Sequence, residues 1–103
     1  MTHQIDFAGA SGARYRYSKL DEERFLPPAG ANYVIAELND EGPTVVYAGE
    51  TDNLANQTWR GDLEKARRKY ANATLLTRLN VTRAVREAER RDLIDNYHPP
   101  LNA

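Results

Sequence analysis

The chain has 103 residues, of which 41% are hydrophobic and 28% charged, and its formal net charge is −1. These fractions are ordinary for one globular domain, and no apolar run is long enough to span a membrane. The absence of cysteine excludes disulfide scaffolds and thiolate zinc sites and, with no signal-peptide pattern at the start, predicts a cytoplasmic protein without a membrane partner.

Alternating apolar residues predict a β-hairpin at the N-terminus. Ile5 and Phe7, and then Tyr15 and Tyr17, alternate with polar neighbours on either side of a turn of small residues. The charged, proline-bearing segment 21–28 that follows is expected to be a link.

A second hairpin is predicted directly after this link. Two runs rich in β-branched and aromatic residues, 31–38 and 43–49, flank an Asn-Asp-Glu-Gly turn. Tyr33 and Tyr47 enter at comparable places on the two strands.

Helical spacing begins beyond residue 53. Either Thr51 or Asp52 can cap the first helical segment. A stripe of apolar residues contains Trp59, while Leu54 faces nearly the opposite way. We therefore expect two short helices or a sharp kink, with the break at Gly61-Asp62.

One more strand and a final helix complete the predicted fold. Residues 74–81 alternate as a strand, and Thr82 can cap a helix that runs to about Tyr97 and ends before Pro99. The sum is a single α/β domain over residues 1–103, with a small, mostly antiparallel sheet flanked by helices and extended by the N-terminal hairpin.

The small net charge hides an asymmetry. Residues 1–56 hold four basic and nine acidic side chains, a net charge of −5, whereas residues 57–103 hold ten basic and six acidic, a net charge of +4. A basic half permits a phosphate-binding face. The densest basic run supplies the candidate nucleic-acid contacts, which are Lys65, Arg67, Arg68 and Lys69. The alternative interpretation is that this run is a solvated helix face.

Four segments, taken in order, resemble the motifs of the GIY-YIG nuclease superfamily. Residues 31–33 (Ala-Asn-Tyr) stand at the GIY motif and residues 47–49 (Tyr-Ala-Gly) at the YIG motif. Residues 51–54 (Thr-Asp-Asn-Leu) are similar to the Thr-x-Asn-Leu segment of the family, and residues 99–102 (Pro-Pro-Leu-Asn) to its closing Pro-x-x-Asn. The resemblance covers about residues 30–102 and implies a GIY-YIG-like core.

The resemblance also implies a set of catalytic positions. In the family, the motif tyrosines help to activate water, an arginine stabilises developing negative charge, and a helix-borne glutamate holds a divalent metal. Tyr33 and Tyr47 match. Gln57 stands where the family has the arginine, with Arg60 as a candidate substitute, and Arg90 stands in place of the glutamate.

Arg90 is expected at the centre of the apolar face of the last helix, where a cation would repel a divalent metal. Two acidic neighbours are candidate replacement ligands for Mg²⁺ or Mn²⁺: Glu87, rotated by about 60° around the helix from Arg90, and Glu89, rotated by about 100°. The alternative is that both glutamates are solvated and pair along the same helix with Arg83, Arg86 or Arg91.

Three functions remain open from the sequence. The leading interpretation is a GIY-YIG-like domain with impaired catalysis that binds nucleic acid, most simply DNA, through its basic second half and needs no cofactor. The second is an active DNA endonuclease, dependent on Mg²⁺ or Mn²⁺, with displaced catalytic residues. The third is a protein-interaction or accessory module whose acidic first half suits a basic protein partner.

Overall fold

A computed structural model describes residues 4–20 and 26–102 of the chain. The described residues form an α/β domain with five strands, two α-helices and two 3₁₀ turns. The strands are β1 (Gln4–Ala8), β2 (Arg14–Lys19), β3 (Ala31–Asn39), β4 (Gly42–Thr51) and β5 (Ala73–Leu79). The helices are α1 (Trp59–Lys69) and α2 (Arg83–Tyr97), and the 3₁₀ turns are Leu54–Asn56 and Pro100–Asn102.

All five strands belong to one antiparallel sheet in the order β1-β2-β5-β3-β4. Both predicted hairpins are confirmed: β1 pairs with β2, and β3 pairs with β4. The N-terminal hairpin extends the sheet, because Ser18 and Lys19 of β2 pair with Thr77 and Leu76 of β5. The predicted link lies mostly outside the described residues, and its described part, residues 26–28, is irregular.

The interior strand β3 is buried on both faces, which explains its nearly continuous apolar sequence. Ile35 faces the core beneath α1, where Trp59 is fully buried, whereas Val34 faces the core beneath α2, where Leu93 is buried. Because side chains alternate along a strand, one run of apolar residues supplies both cores. The two helices therefore cover opposite faces of the sheet.

The break between the two helical segments was predicted at the wrong residues. The segments are separate, as expected, but the chain turns at Gln57, which has a φ of 57° in the left-handed region. Helix α1 then starts at Trp59 and continues through Gly61. The turn at Gln57 lets Leu54 and Trp59 enter the same core, and the indole nitrogen of Trp59 donates to the Leu54 carbonyl at 3.2 Å.

Caps also differ from the predicted ones. Asn53, rather than Thr51 or Asp52, caps the 3₁₀ turn, because its side-chain oxygen accepts from the Ala55 amide at 3.0 Å. Thr82 occupies the N-cap position of α2, as predicted, but its side chain makes no capping hydrogen bond. The Thr82 carbonyl accepts from the Arg86 amide at 2.9 Å instead.

Asp92 of α2 fastens the turn of the N-terminal hairpin to the helix. Its carboxylate accepts hydrogen bonds from the Ser11 amide at 2.9 Å, the Ser11 hydroxyl at 2.6 Å and the Tyr15 hydroxyl at 2.7 Å. The turn approaches so closely that a Cβ atom on Gly9 would lie 1.8 Å from an Asp92 oxygen. The hydrogen bonds from Ser11 and Tyr15 lower the pKa of Asp92 below its ordinary value.

This lowered pKa predicts a loss of stability in acid. A carboxyl group whose pKa is lower in the folded state stabilises the fold above its unfolded-state pKa of about 4, and the contribution is lost as the pH falls further. We expect Asp92→Asn to be less stable than the wild type at pH 7, with a difference that shrinks below about pH 4. Urea midpoints of the two proteins, measured at pH 7 and below about pH 4, test this prediction. A difference between the midpoints that does not change with pH would contradict it.

Candidate functional site

Tyr33 and Tyr47 lie side by side on the α1 side of the sheet. Tyr33 is opposite Gly49 and Tyr47 is opposite Ile35, so the two tyrosines are diagonal neighbours on β3 and β4. Their ring centroids are 6.0 Å apart and the rings are inclined by 30°. Tyr33 is only 4% exposed, whereas Tyr47 is half-buried. The sequence-predicted pair is thus brought together, with Tyr47 as its accessible member.

Gly49 makes room for the Tyr33 ring. A Cβ atom at this position would lie 2.5 Å from Cζ of Tyr33 and 2.7 Å from its hydroxyl oxygen. No side chain fits at Gly49 unless the buried tyrosine moves. The glycine of the YIG-like segment therefore has a direct steric role beside the tyrosine of the other strand.

We expect Gly49→Ala to lower the free energy of unfolding by about 1–3 kcal/mol, because the added methyl group overpacks a buried aromatic contact. The matched control is Gly61→Ala, since nothing lies within 4 Å of a Cβ at Gly61. Alanine inside α1 should raise the same free energy by about 0.5–1 kcal/mol. Urea denaturation measures both changes, and wild-type stability of Gly49→Ala would contradict the position of Tyr33.

Asp62 is the acidic partner of the tyrosine pair. The Tyr33 hydroxyl donates to Oδ2 of Asp62 at 2.7 Å. Asp62 lies in the first turn of α1, where sequence reasoning assigned it only to a helix break. Its spacing of three residues from the buried Trp59 is the signal that it borders the core side of the helix.

The tyrosine hydroxyls remain protonated at neutral pH. Burial raises the pKa of Tyr33 far above its ordinary value, and the hydrogen bond to Asp62 adds to the rise. Burial and then the negative charge of Asp62 raise the pKa of Tyr47, while the Tyr33 hydroxyl and the positive charge of Arg90 oppose that rise. The pair therefore presents neutral hydroxyl groups rather than phenolates.

The positive charge of Arg90, on α2, acts on the Tyr47 phenol and opposes the rise in its pKa. Arg90 was predicted at the centre of the buried face of α2, but that face contains Arg86, Glu89 and Leu93, and Arg90 is half-buried at its margin. Because Arg86 and Glu89 are buried, the centre of that face lies about 65° around the helix from Arg90. Within residues 4–20 and 26–102, Arg90 has no ion-pair or hydrogen-bond partner.

Gln57 and Arg60 contact each other. Nε of Arg60 donates to the Gln57 side-chain oxygen at 3.0 Å, and the guanidinium lies 4.8 Å from the centroid of the Trp59 ring. Arg60 and Asp62 are two residues apart, so they point to nearly opposite sides of α1. Because Asp62 faces the tyrosines, Arg60 is directed away from them.

The two candidate metal ligands have different surroundings. Glu87 is exposed and pairs with Arg83 at 3.4 Å, in line with the solvated alternative. That alternative is wrong for Glu89, which is buried and accepts from Nε of Arg78 at 3.1 Å and from the Asn80 amide. Glu89 lies about 40° from Leu93 around the helix, so it faces the sheet.

Glu87 and Glu89 are two residues apart on α2, so they point to nearly opposite sides of the helix and do not converge. Among the residues that the structure describes, no group of three or more His, Cys, Asp or Glu side chains is arranged to hold a metal ion. The carboxylate that contacts Tyr33 is Asp62, and one of its oxygens already accepts from the Tyr33 hydroxyl.

The basic run on α1 divides into two groups. Lys65, Arg68 and Lys69 are exposed on the outer side of the helix. Nε of Arg67 instead donates to the Ala73 carbonyl at 3.1 Å. Asp62, Lys65 and Lys69 fall within about 60° of one another around the helix. The two lysines therefore lie on the same side of α1 as Asp62, the acidic partner of the tyrosines. We call Tyr47, Asp62, Lys65, Lys69 and Arg90 the tyrosine rim.

Asn102 holds the edge strand next to the tyrosines. Its side-chain oxygen accepts from the Ala48 amide at 2.8 Å, and its side-chain nitrogen donates to the Ala48 carbonyl at 2.9 Å. The last residue of the Pro-x-x-Asn segment thus satisfies both backbone groups of the residue that follows Tyr47.

In the described part of the chain, neither helix combines the length and the hydrophobicity that crossing a membrane requires. We also compared the chain with known proteins at three levels. Protein-family models, curated proteins and solved structures give no match to it.

Proposed function

We propose that this chain is a nucleic-acid-binding domain of GIY-YIG-like design in which metal-dependent cleavage is impaired. The observation that carries the proposal is Arg90, a half-buried cation on α2 whose positive charge acts on the Tyr47 phenol. A guanidinium and a phenol hydroxyl both donate hydrogen bonds and suit the oxygens of a phosphodiester. Arg90 also stands in place of the glutamate that the resemblance assigns to the metal.

The charges along α1 support a backbone-binding surface. Lys65 and Lys69 are the positively charged members of the tyrosine rim on α1, and Arg68 adds an exposed cation on the outer side of the same helix. Cations that follow a phosphate backbone supply affinity without reading sequence. We therefore expect salt-dependent binding with little sequence preference.

Impaired cleavage follows from the chemistry of the same residues. Gln57 is neutral and engaged with Arg60, so the position that the resemblance assigns to an arginine supplies no cation. The tyrosine hydroxyls are protonated, and one oxygen of Asp62 is already engaged with the Tyr33 hydroxyl. Each of these changes weakens a mechanism in which a metal activates water.

Two assays on the purified chain test the proposal. The first is fluorescence anisotropy with labelled duplex and single-stranded DNA over a range of KCl concentrations. The second is nicking of supercoiled plasmid with Mg²⁺ or Mn²⁺. We expect binding that weakens steeply with salt and no nicking.

Two variants make the nicking assay decisive. Metal-dependent nicking by the wild type that is lost in Tyr47→Phe and in Glu87→Gln/Glu89→Gln would overturn the impaired-catalysis proposal in favour of an active endonuclease. Failure to bind DNA or RNA at low salt would overturn the nucleic-acid proposal in favour of a protein-interaction module.

A further inference from the structure

We propose that the outer face of α2 binds a second copy of this chain and forms a weak antiparallel homodimer. The outer face consists of Ala84, Val85 and Ala88, which are exposed and fall within about 100° of one another around the helix. Its centre lies about 130° from the centre of the buried face of the same helix. The inference goes beyond the proposed nucleic-acid binding and does not depend on it.

Exposed apolar side chains are concentrated at the start of α2. Among the residues that the structure describes, only three large apolar side chains are exposed: Leu79 at 60%, Val81 at 81% and Val85 at 47%. Val81 immediately precedes the N-cap of α2, and Val85 lies in the first turn of the helix. Val85 also lines a groove together with Ser11 and Tyr15 of the N-terminal hairpin. Clustered apolar side chains of this kind are typical of a surface that a protein partner covers.

The charges beside the outer face fit a second copy of the same helix. Glu87 and Arg91 are exposed and lie on one flank of the face, within about 40° of each other. In two antiparallel helices related by a twofold axis, this flank meets the same flank of the other copy. With the axis at the level of residue 89, Glu87 of each copy is level with Arg91 of the other. In a parallel pair, like charges would meet instead, so the charges favour the antiparallel arrangement.

Arg91 is available for this contact. The described part of the chain contains no ion-pair or hydrogen-bond partner for its side chain. Glu87 pairs with the exposed Arg83 of the same helix at 3.4 Å, and a pair so exposed to solvent is exchanged at little cost. Ala88 lies next to the proposed axis, where its small side chain lets the two helices approach closely.

The edges of the sheet do not offer an equivalent site. The edge strand β1 ends at Ala8, whose amide donates to the Tyr97 hydroxyl at 3.0 Å and whose carbonyl accepts from the Asn96 side chain at 2.7 Å. On the other edge strand, β4, both backbone groups of Ala48 are bound by Asn102. A second copy cannot add a strand at either position without breaking these contacts. The three residues of the outer face remain exposed.

The proposed dimer leaves the nucleic-acid surface accessible. Helices α1 and α2 cover opposite faces of the sheet, and Arg90 lies about 170° around α2 from the centre of the outer face. An interface formed mainly by one helix face is small, and interfaces below about 1,200 Å² are typical of weak, transient contacts. We therefore expect the dimer only at high protein concentration.

Sedimentation equilibrium of the purified chain at low salt, from about 10 µM to about 1 mM, tests the inference. We expect the weight-average mass to rise with concentration from 11.7 kDa toward twice that value. Val85→Glu should weaken the association about tenfold or more, because it buries a charge in the interface. The matched control is Leu79→Glu, since Leu79 alternates with Leu75 and faces the α1 side of the sheet. This control should associate like the wild type.

Two further variants test the ion pairs by mixing. Glu87→Arg leaves only positive charge at the two flank positions, and Arg91→Glu leaves only negative charge. Each variant alone should associate about tenfold more weakly than the wild type, since two symmetric pairs become repulsive. An equimolar mixture of the two variants should regain the association, because every pair between unlike copies is then attractive.

Three results would overturn the inference. The first is a mass of 11.7 kDa at every concentration, which would leave the outer face for a different protein or for solvent. The second is an equal weakening by Leu79→Glu and Val85→Glu. The third is a mixture of Glu87→Arg and Arg91→Glu that associates no better than either variant alone. None of these results bears on the proposed nucleic-acid binding, which the anisotropy assay measures separately.

Discussion

Replacing Arg86 by alanine is expected to lower the free energy of unfolding by about 3–5 kcal/mol. The Arg86 side chain is 4% exposed and pairs with Glu50 at 2.8 Å and, more loosely, with Asp52 at 3.5 Å. Its Nη1 also donates to the carbonyls of Asn80 and Val81, both at 3.0 Å. Truncation removes the partner of the partly buried Glu50 carboxylate and of the two carbonyls, and it weakens the contact between α2 and the end of β4. Urea denaturation measures the loss.

The matched control is Arg83→Ala on the same helix. The Arg83 side chain is 74% exposed and pairs with an exposed Glu87, so its removal should change stability by no more than about 1 kcal/mol. Equal losses in the two variants, or a loss below about 1 kcal/mol for Arg86→Ala, would contradict the buried ion pair. Such a result would also question the position of α2, and of Arg90 on it.

The second large effect concerns binding. The triple variant Lys65→Ala/Arg68→Ala/Lys69→Ala should reduce the slope of log affinity against log salt by about 2, because each lost phosphate contact on a single strand removes about 0.7. These side chains are exposed, so the thermal midpoint should stay close to the wild-type value. Fluorescence anisotropy with labelled single-stranded nucleic acid, repeated over a range of KCl concentrations, gives the slope.

Arg83→Ala/Arg91→Ala controls for net charge. Both arginines are exposed on α2, and Arg91 lines a groove beside the turn of the N-terminal hairpin. We expect a much smaller change in the salt slope for this pair. An unchanged slope in the triple variant, or a comparable fall in the control, would remove α1 from the binding surface.

The sequence predicted the sheet well because its signals are local. Alternating residues such as Phe7 and Tyr17 identified the N-terminal hairpin, and the Asn-Asp-Glu-Gly turn identified the second one. The register with β5 was not predictable in the same way. Pairing of Ser18 with Thr77 joins residues far apart in the chain, and no local pattern encodes it.

The errors in the second half arise from tertiary packing. Glycine is the usual site of a break, so Gly61 was the expected place, but packing of Leu54 and Trp59 in one core moved the turn to Gln57. Glu89 was expected either to bind a metal or to be solvated, yet it is buried with Arg78 from β5. Such pairings depend on which strand packs against the helix, and the sequence of the helix alone does not determine that strand.

The candidate site was predictable in part. The resemblance identified Tyr33 and Tyr47, which lie together, although the helical wheel placed Arg90 at the centre of the buried face rather than at its margin. It did not identify Asp62 as their partner, because a carboxylate at a helix start is commonly a capping residue. The hydrogen bond between Asp62 and Tyr33 depends on how α1 packs on β3 and β4, which no local sequence pattern encodes.

The most direct test of the proposed interface is a ¹H–¹⁵N NMR titration of the protein with a single-stranded 2′-deoxy oligonucleotide at low salt. The proposed interface predicts the largest shift changes at Tyr47, Asp62, Lys65, Lys69 and Arg90, and their disappearance on addition of salt. Changes confined to the N-terminal hairpin, or none at saturating oligonucleotide, would contradict a nucleic-acid site at the tyrosine rim.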